Sequence, residues 1–237
     1  MRFGLFIPQG WRLDLVGVEP ADQWGVMSSV ADRAESGGWD SIWVYDHFHT
    51  VPLPTDEATH EAWTLVAALA ATTSRVDIGQ MCTAMGYRNP MYLAKVAATA
   101  DLISGGRVQM GIGGGWYEHE WRAYGYGFPS AGERLARLDE GVQIMKQAWE
   151  TGRATLDGKH YTVDDAICAP SPRPGGCHYG SRAAGRRRRC GSRRSTPTTP
   201  TSTARRTGSR TNRRSCNNIA PTSDATSSRS PARPITT

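Results

Sequence analysis

The chain of 237 residues is long enough for one substantial domain with a buried core, but its net charge of +6 averages two unlike parts. Residues 1–170 hold 13 Lys+Arg against 21 Asp+Glu, whereas residues 171–237 hold 15 Arg, no Lys and one acid, Asp224. All eight Trp and every Leu, Val, Met and Phe lie in the first part, which excludes a single basic globular domain.

In chain order, RFGLFIP at residues 2–8 is a short apolar run ended by proline and predicts a first strand. Met27, Val30, Ala31 and Ala34 follow at helix-face spacing until Gly37-Gly38 supplies a stop. DSIWVY (40–45) predicts a second strand, a helix follows over residues 61–74, and VDIGQMC (76–82) predicts a third strand. Asn89-Pro90, a capping residue before a proline at the first helical position, opens a helix. It sets Leu93, Val96, Ala97, Ala100 and Ile103 on one face and stops at Gly105-Gly106. RVQMGI (107–112) is a fourth strand, and a last helix over residues 132–151 aligns Leu135, Leu138, Val142, Met145 and Trp149.

The strands start 38, 36 and 31 residues apart with a helix in each interval. Such units need parallel strands joined by right-handed crossovers, so the fold class is α/β, as a doubly wound sheet or a (β/α)8 barrel. Both put chemistry at the C-terminal strand ends. There the sequence places Gln9-Gly10-Trp11, Asp46-His47-Phe48-His49, Thr83-Ala84-Met85-Gly86 and Gly113-Gly114-Gly115-Trp116.

Histidine changes charge near neutral pH, so His47 suits proton transfer or polarisation of a carbonyl, with Asp46 beside it to fix the tautomer. The bland alternative is a loop histidine with a satisfied hydrogen bond. His47 and His49 also have the spacing of a barrel metal site, but no further ligands from later strands are evident, and no metal is expected. Gly111–Gly115 invites a dinucleotide reading; no acid stands where a ribose ligand belongs, so the better reading is a strand end passing close to a flat ligand. Trp116, Trp121, Tyr124, Tyr126 and Phe128 would wall that ligand or form a satellite core.

No apolar run reaches about 18 residues, and the N-terminus lacks the apolar core of a signal peptide, so a soluble cytoplasmic protein without a membrane partner is expected. Five cysteines without a CxxC indicate neither a disulfide framework nor a zinc knuckle.

The ordered set FGLFIPQG, WVYDHF, GYRNPMYLAK, ISGGRVQMGIGGGWYEHEWRAYGYGFPSAGERLARLDEG and GKHYTVDDAICAP resembles the luciferase-like monooxygenase family over residues 1–170, most closely its deazaflavin-dependent oxidoreductases. The resemblance implies a (β/α)8 barrel that binds coenzyme F420, or alternatively FMN, at its C-terminal mouth and acts on a small-molecule substrate, with homodimeric relatives. It further implies that His47, accompanied by Asp46, serves as proton donor or acceptor beside the ring. Cys82, Thr83 and Ala84 match the third-strand end under the ring, where the family often has a strained, sometimes cis, peptide. Gly113, Gly114 and Gly115 match the fourth-strand end near the cofactor. Some deazaflavin members follow that triplet with an acid; here Trp116 stands there, so no acid role passes to Glu118.

The tail, residues 171–237, has only Ile219 and Ile235 as large aliphatics and 22 Ser+Thr among 67 residues, so disorder is expected. Its four consecutive arginines, Arg186–Arg189, would suit a nucleic-acid-binding arm, but the absence of lysine and of interleaved aromatics argues against one. Residues 176–185 suggest something else. Reverse-translated and re-read from the third base of each codon, they permit Leu-Pro-Leu-Trp-Val-Ala-Gly-Gly-Gly, the pattern of the family's fifth strand, with the His178/Tyr179 junction forced to Leu. The same shift lets the Pro170/Ser171 junction encode Lys. These coincidences point to a one-base deletion near the codons for residues 169–171. Only the first half of the barrel is then encoded in frame, and activity of the chain as written is impaired.

Overall fold

The computed structural model describes residues 1–172 and the backbone of residues 178–180. Strands β1 (Gly4–Phe6), β2 (Ser41–Val44), β3 (Asp77–Ala84) and β4 (Val108–Gly113) alternate with helices α1 (Pro20–Ser36), α2 (Ala62–Thr72) and α3 (Pro90–Ser104). After β4 come α4 (Glu118–Ala123), α5 (Ala131–Thr151), a hairpin of β5 (Arg153–Asp157) and β6 (Thr162–Ile167), and β7 (His178–Gly180).

Local sequence sets the helix ends. Asn89 accepts from the N–H groups of Met91 and Tyr92 ahead of Pro90, and Gly105, in the left-handed region at φ 76°, closes α3. Glu61 caps α2 through the N–H groups of Trp63 and Thr64. Ser130 caps α5, which ends at Gly152 with φ 77°.

The main sheet runs β1-β2-β3-β4-β7, and every neighbouring pair is parallel. One row of the register, Leu5, Ile42, Ile78 and Val108, points under the helices, and its last three members are buried to 1% exposure or less. Full burial of each such side chain stabilises by about 1.5–3 kcal/mol. Met27, Leu65, Val66, Leu69, Leu93, Ala97, Ile144 and Met145 close that core from the helix side. The next row, Phe6, Trp43, Gly79 and Gln109, faces the other way, onto the concave side of the sheet. The Trp43 indole lies so closely against Gly79 that a Cβ there would overlap the ring, so only glycine fits. A cavity of about 470 Å³ on this side is bounded by Phe6, Trp43, Met81, Cys82, Gln109 and Gly111. The architecture is the first half of a (β/α)8 barrel.

Three features differ from the sequence expectation. The hairpin β5–β6 and the short helix α4 have no counterpart in it. On α5 the buried residues are Gly141, Ile144, Met145 and Ala148, with Leu138, Val142 and Trp149 packed at the margin, while Leu135 is 56% exposed. Ile103 of α3 is 47% exposed because it lies on the outer face with Leu102, while Ala100, Asp101 and Ser104 of the same turn are buried. Beyond the expected elements, β7 pairs with β4 through Gln109–His178, Met110–Tyr179 and Gly111–Gly180, an extended segment meeting the free backbone groups of that edge. The rest of the expected disordered tail, including Arg186–Arg189, lies outside the described residues.

Candidate active site

The C-terminal ends of β1 and β2 are pinned by one side chain. Gln9, fully buried, donates from Nε2 to the carbonyls of Tyr45 (2.8 Å) and His60 (2.5 Å), while its Oε1 accepts from the Tyr45 N–H (2.7 Å). This holds an aromatic stack along the mouth: Phe6 on Tyr45 with centroids 4.3 Å apart, Tyr45 against Trp11 at 4.1 Å, and Trp11 on the His47 ring at 4.4 Å with the planes 3° apart. Trp116 and Tyr117 meet the His47 ring edge-on at 5.6 and 5.9 Å.

The group that holds His47 is a buried carboxylate on α4. His47 Nδ1 lies 2.9 Å from Glu120 Oε2, which also accepts from the Tyr87 hydroxyl at 2.9 Å. Oε1 of the same residue accepts from the N–H groups of Phe48 (2.8 Å) and His49 (2.9 Å). Burial alone would push the Glu120 carboxyl up. The hydrogen bond and charge of His47 and the N–H groups of His49 and Phe48 outweigh it and hold the carboxyl below the usual carboxylate range. Burial, then the charge and hydrogen bond of Glu120, push the Tyr87 phenol up, so it stays a donor.

Asp46, expected beside His47, faces away from it. Its Oδ2 accepts from the Ala84 N–H at 2.7 Å, and both oxygens bind the Arg88 guanidinium at 2.8 Å. Arg88 continues to Glu61 at 2.7 Å. The carboxylate on the His47 ring is thus Glu120, and Asp46 ties the end of β2 to the end of β3. Glu118 is exposed and pairs with Arg122. His49 turns its Nδ1 to that of His119 at 3.0 Å, and no group of three or more His, Cys, Asp or Glu among the described residues is placed to hold a metal ion.

Cys82, Thr83 and Ala84 do lie at the end of β3, after a cis peptide between Met81 and Cys82 and a register shift against β4. Burial and then the charge of Asp46 push the Cys82 thiol up, which disfavours the thiolate. Gly113 lies opposite; a Cβ there would meet only the Cys82 Cβ, at 3.7 Å. Gly115 sits at φ 77°, and its Cβ would come within 2.7 Å of the Trp121 ring. Of the proposed aromatic wall, Trp116 is 61% exposed at the mouth, whereas Trp121 is buried and packs with Ala84, Tyr87 and Phe128 as a satellite core.

These residues fit the flat ring of a flavin or deazaflavin. Between the ends of β3 and β4 the floor is backbone and glycine, open above Gly113, and an imidazole held at Nδ1 stands across the mouth. Sequence reasoning finds the strand-end residues but misses Glu120 and Tyr87.

A profile of the luciferase-like monooxygenase family matches residues 1–197. Among curated relatives, the F420-dependent glucose-6-phosphate dehydrogenase of Amycolatopsis mediterranei is 38% identical over 152 residues, which cover 62% of this chain and 44% of that protein. Pyrimidine monooxygenase RutA of Methylorubrum extorquens is 31% identical over 181 residues, covering 73% and 48%. Among solved structures, an F420-dependent secondary alcohol dehydrogenase in complex with an F420-acetone adduct superimposes with TM-score 0.62 at 27% identity, covering 75% of this chain and 51% of that one. The oxygenating constituent of 3,6-diketocamphane monooxygenase in complex with FMN shares the fold with TM-score 0.60 at 20% identity, covering 75% of this chain and 49% of that one. The chain spans about half the length of these relatives, and no helix among the described residues is long and apolar enough to cross a membrane. With the half-barrel and its strand-end site in place, the match over residues 1–197 makes this chain a member of the luciferase-like monooxygenase family.

Proposed function

We propose that residues 1–170 are the ring-binding half of an F420-dependent oxidoreductase that moves a hydride to or from a small organic substrate, with His47 handling the accompanying proton. The observation that carries this reading is His47 itself, clamped between Trp11 and Glu120 at the strand ends with no hydrogen bond on Nε2 among the described residues. When bound, the deazaflavin supplies two-electron hydride transfer; the protein supplies orientation and electrostatics. Cys82–Ala84 and Gly113–Gly115 would hold the ring. Trp11 and Trp116 exclude water from the mouth, and His47 Nε2 accepts or delivers the proton. The choice of F420 rests on the relatives at 38% and 27% identity, both F420-dependent. A second reading, an FMN-dependent monooxygenase, is favoured by the 31% identity to the pyrimidine monooxygenase.

The rest of the barrel belongs, in this reading, to the same gene one frame over. The strand β7 falls inside residues 176–185, where the shifted frame permits the pattern of the family's fifth strand. The chain as written then binds little cofactor. Resequencing the codons for residues 165–180 and restoring the frame tests both statements. The restored protein should bind F420 in preference to FMN, followed by tryptophan quenching, and His47→Gln should keep that binding while slowing turnover about 10²–10⁴-fold. Preference for FMN would support the second reading, binding of neither would remove both, and an unchanged gene sequence would sink the frame assignment.

A further inference from the structure

The hydrogen bonds around Glu120 constrain more than its own position. A carboxylate accepts and never donates, and all four of its contacts come from donors: His47 Nδ1, the Tyr87 hydroxyl and the N–H groups of Phe48 and His49. Glu120 is fully buried, so an unpaired charge there would be costly and every donor is needed. The proton of a neutral His47 ring is thereby confined to Nδ1, and the lone pair to Nε2. Rotation of the ring, which would put Cδ2 in place of Nδ1 and Cε1 in place of Nε2, is opposed by the Trp11 indole stacked on one face with the planes 3° apart. The restraint comes from a distant element: His47 lies on the loop after β2, and Glu120 lies on α4, beyond β4.

We propose that Glu120 is a positioning residue that fixes His47 as the Nδ1–H tautomer and aims its basic Nε2 at the open strand ends. The consequence for turnover rests on the function proposed above; the tautomer itself does not. Tyr87 and the two backbone N–H groups hold the carboxylate, so α4 and the 3₁₀ turn Met85–Tyr87 act together as the mount of the imidazole.

The test is long-range ¹H–¹⁵N correlation NMR on the full 237-residue chain labelled at histidine, at a pH where the imidazole is neutral. Wild type should show His47 with a pyrrole-type Nδ1 and a pyridine-type Nε2. In Glu120→Gln the amide oxygen can keep the Phe48 and His49 N–H groups while the NH₂ turns to His47 and Tyr87, so Nδ1 becomes an acceptor and the tautomer inverts to Nε2–H. Glu120→Asp should retain the wild-type pattern in part, and Tyr87→Phe, which removes only one donor, should retain it fully. A wild-type spectrum with Nε2–H, or a Glu120→Gln spectrum unchanged from wild type, overturns the proposal; the wild-type spectrum alone decides should the glutamine variant fail to fold. The functional reading fails separately, if His47→Gln in the frame-restored protein keeps full turnover while the tautomer behaves as described.

Discussion

Replacing Asp46 by asparagine separates a structural role for this carboxylate from a catalytic one. The Asp46 side chain is fully buried, its two oxygens meet the Arg88 guanidinium at 2.8 Å, and one also accepts the Ala84 N–H at 2.7 Å. In Asp46→Asn the amide would keep an oxygen for Ala84 but leave the guanidinium of Arg88, a side chain only 12% exposed, facing a neutral group. Breaking one partner of a buried ion pair costs about 3–5 kcal/mol. Because Glu61, 41% exposed, still pairs with Arg88 at 2.7 Å, the lower end, about 3 kcal/mol, applies here. For a unit of this size that is a fall in Tm of about 6–12 °C. Differential scanning calorimetry of the full chain measures it. Arg88→Met should cost a similar amount, and the double variant D46N/R88M no more than the worse single one, since the uncompensated charge is gone. A D46N protein that melts within about 2 °C of wild type, or two losses that simply add, would refute the argument.

Three further outcomes follow from particular contacts. Glu35 accepts from the Ser74 hydroxyl and from the N–H groups of Ser74, Arg75 and Val76; these outweigh its burial and hold the carboxyl at about 2 against an ordinary 4.5. A depressed folded value stabilises above the unfolded one, so this contribution is whole above about pH 4.5 and lost as pH falls toward 2; in urea melts the gap between wild type and Glu35→Gln should be wide at pH 7 and close on acidification, and a constant gap would contradict this. Gly115→Ala places a Cβ at φ 77° and 2.7 Å from Trp121, and should cost about 1–3 kcal/mol in the same melts, where no loss would show the loop free to move. Leu135→Gln should shift stability by no more than about 0.5 kcal/mol while Met145→Ala costs about 2–5 kcal/mol; a loss at Leu135 as large as that at Met145 would restore the sequence-based face of α5, which holds both.

The strands of the half-barrel are legible because each is a short apolar or aromatic run bounded by glycine, proline or charge, and the helix ends because Asn89, Pro90 and Gly105 carry their conformations in their chemistry. The face of α5 departs from expectation for a physical reason. A Cβ on Gly141 would overlap the Met85 sulfur, so this helix approaches the 3₁₀ turn through a glycine and seats its neighbours Ile144, Met145 and Ala148. Counting large apolar residues cannot see a seam whose centre is glycine, and it draws the stripe too far toward Leu135. The hairpin escapes because β5 and β6 cover one flank of α5 with a face of only Ala154, Leu156, Val163 and Ala166, too short an alternation to separate from a loop. Its turn is held instead by Glu140, whose carboxylate accepts the N–H groups of Lys159, His160 and Tyr161.

At the site the sequence reveals position and conceals partnership. His47 can be found because it ends a strand in a fold that works at strand ends. Its carboxylate cannot be found by proximity along the chain, because consecutive residues leaving a strand point to opposite sides. Asp46 goes to Ala84 and Arg88, while His47 goes to Trp11 and to Glu120, 73 residues later. On α4 it is helical geometry, about 100° per residue, that turns Glu118 and Glu120 to different faces, one paired with Arg122 in solvent and the other buried beside Trp121. The signal lies in EHEW: an acid directly before a tryptophan that packs inward is carried into the core, and a buried acid must find donors. Those donors turn out to be the imidazole, the loop that carries it and the Tyr87 hydroxyl, so the stability requirement of α4 and the orientation of His47 are met by the same four hydrogen bonds.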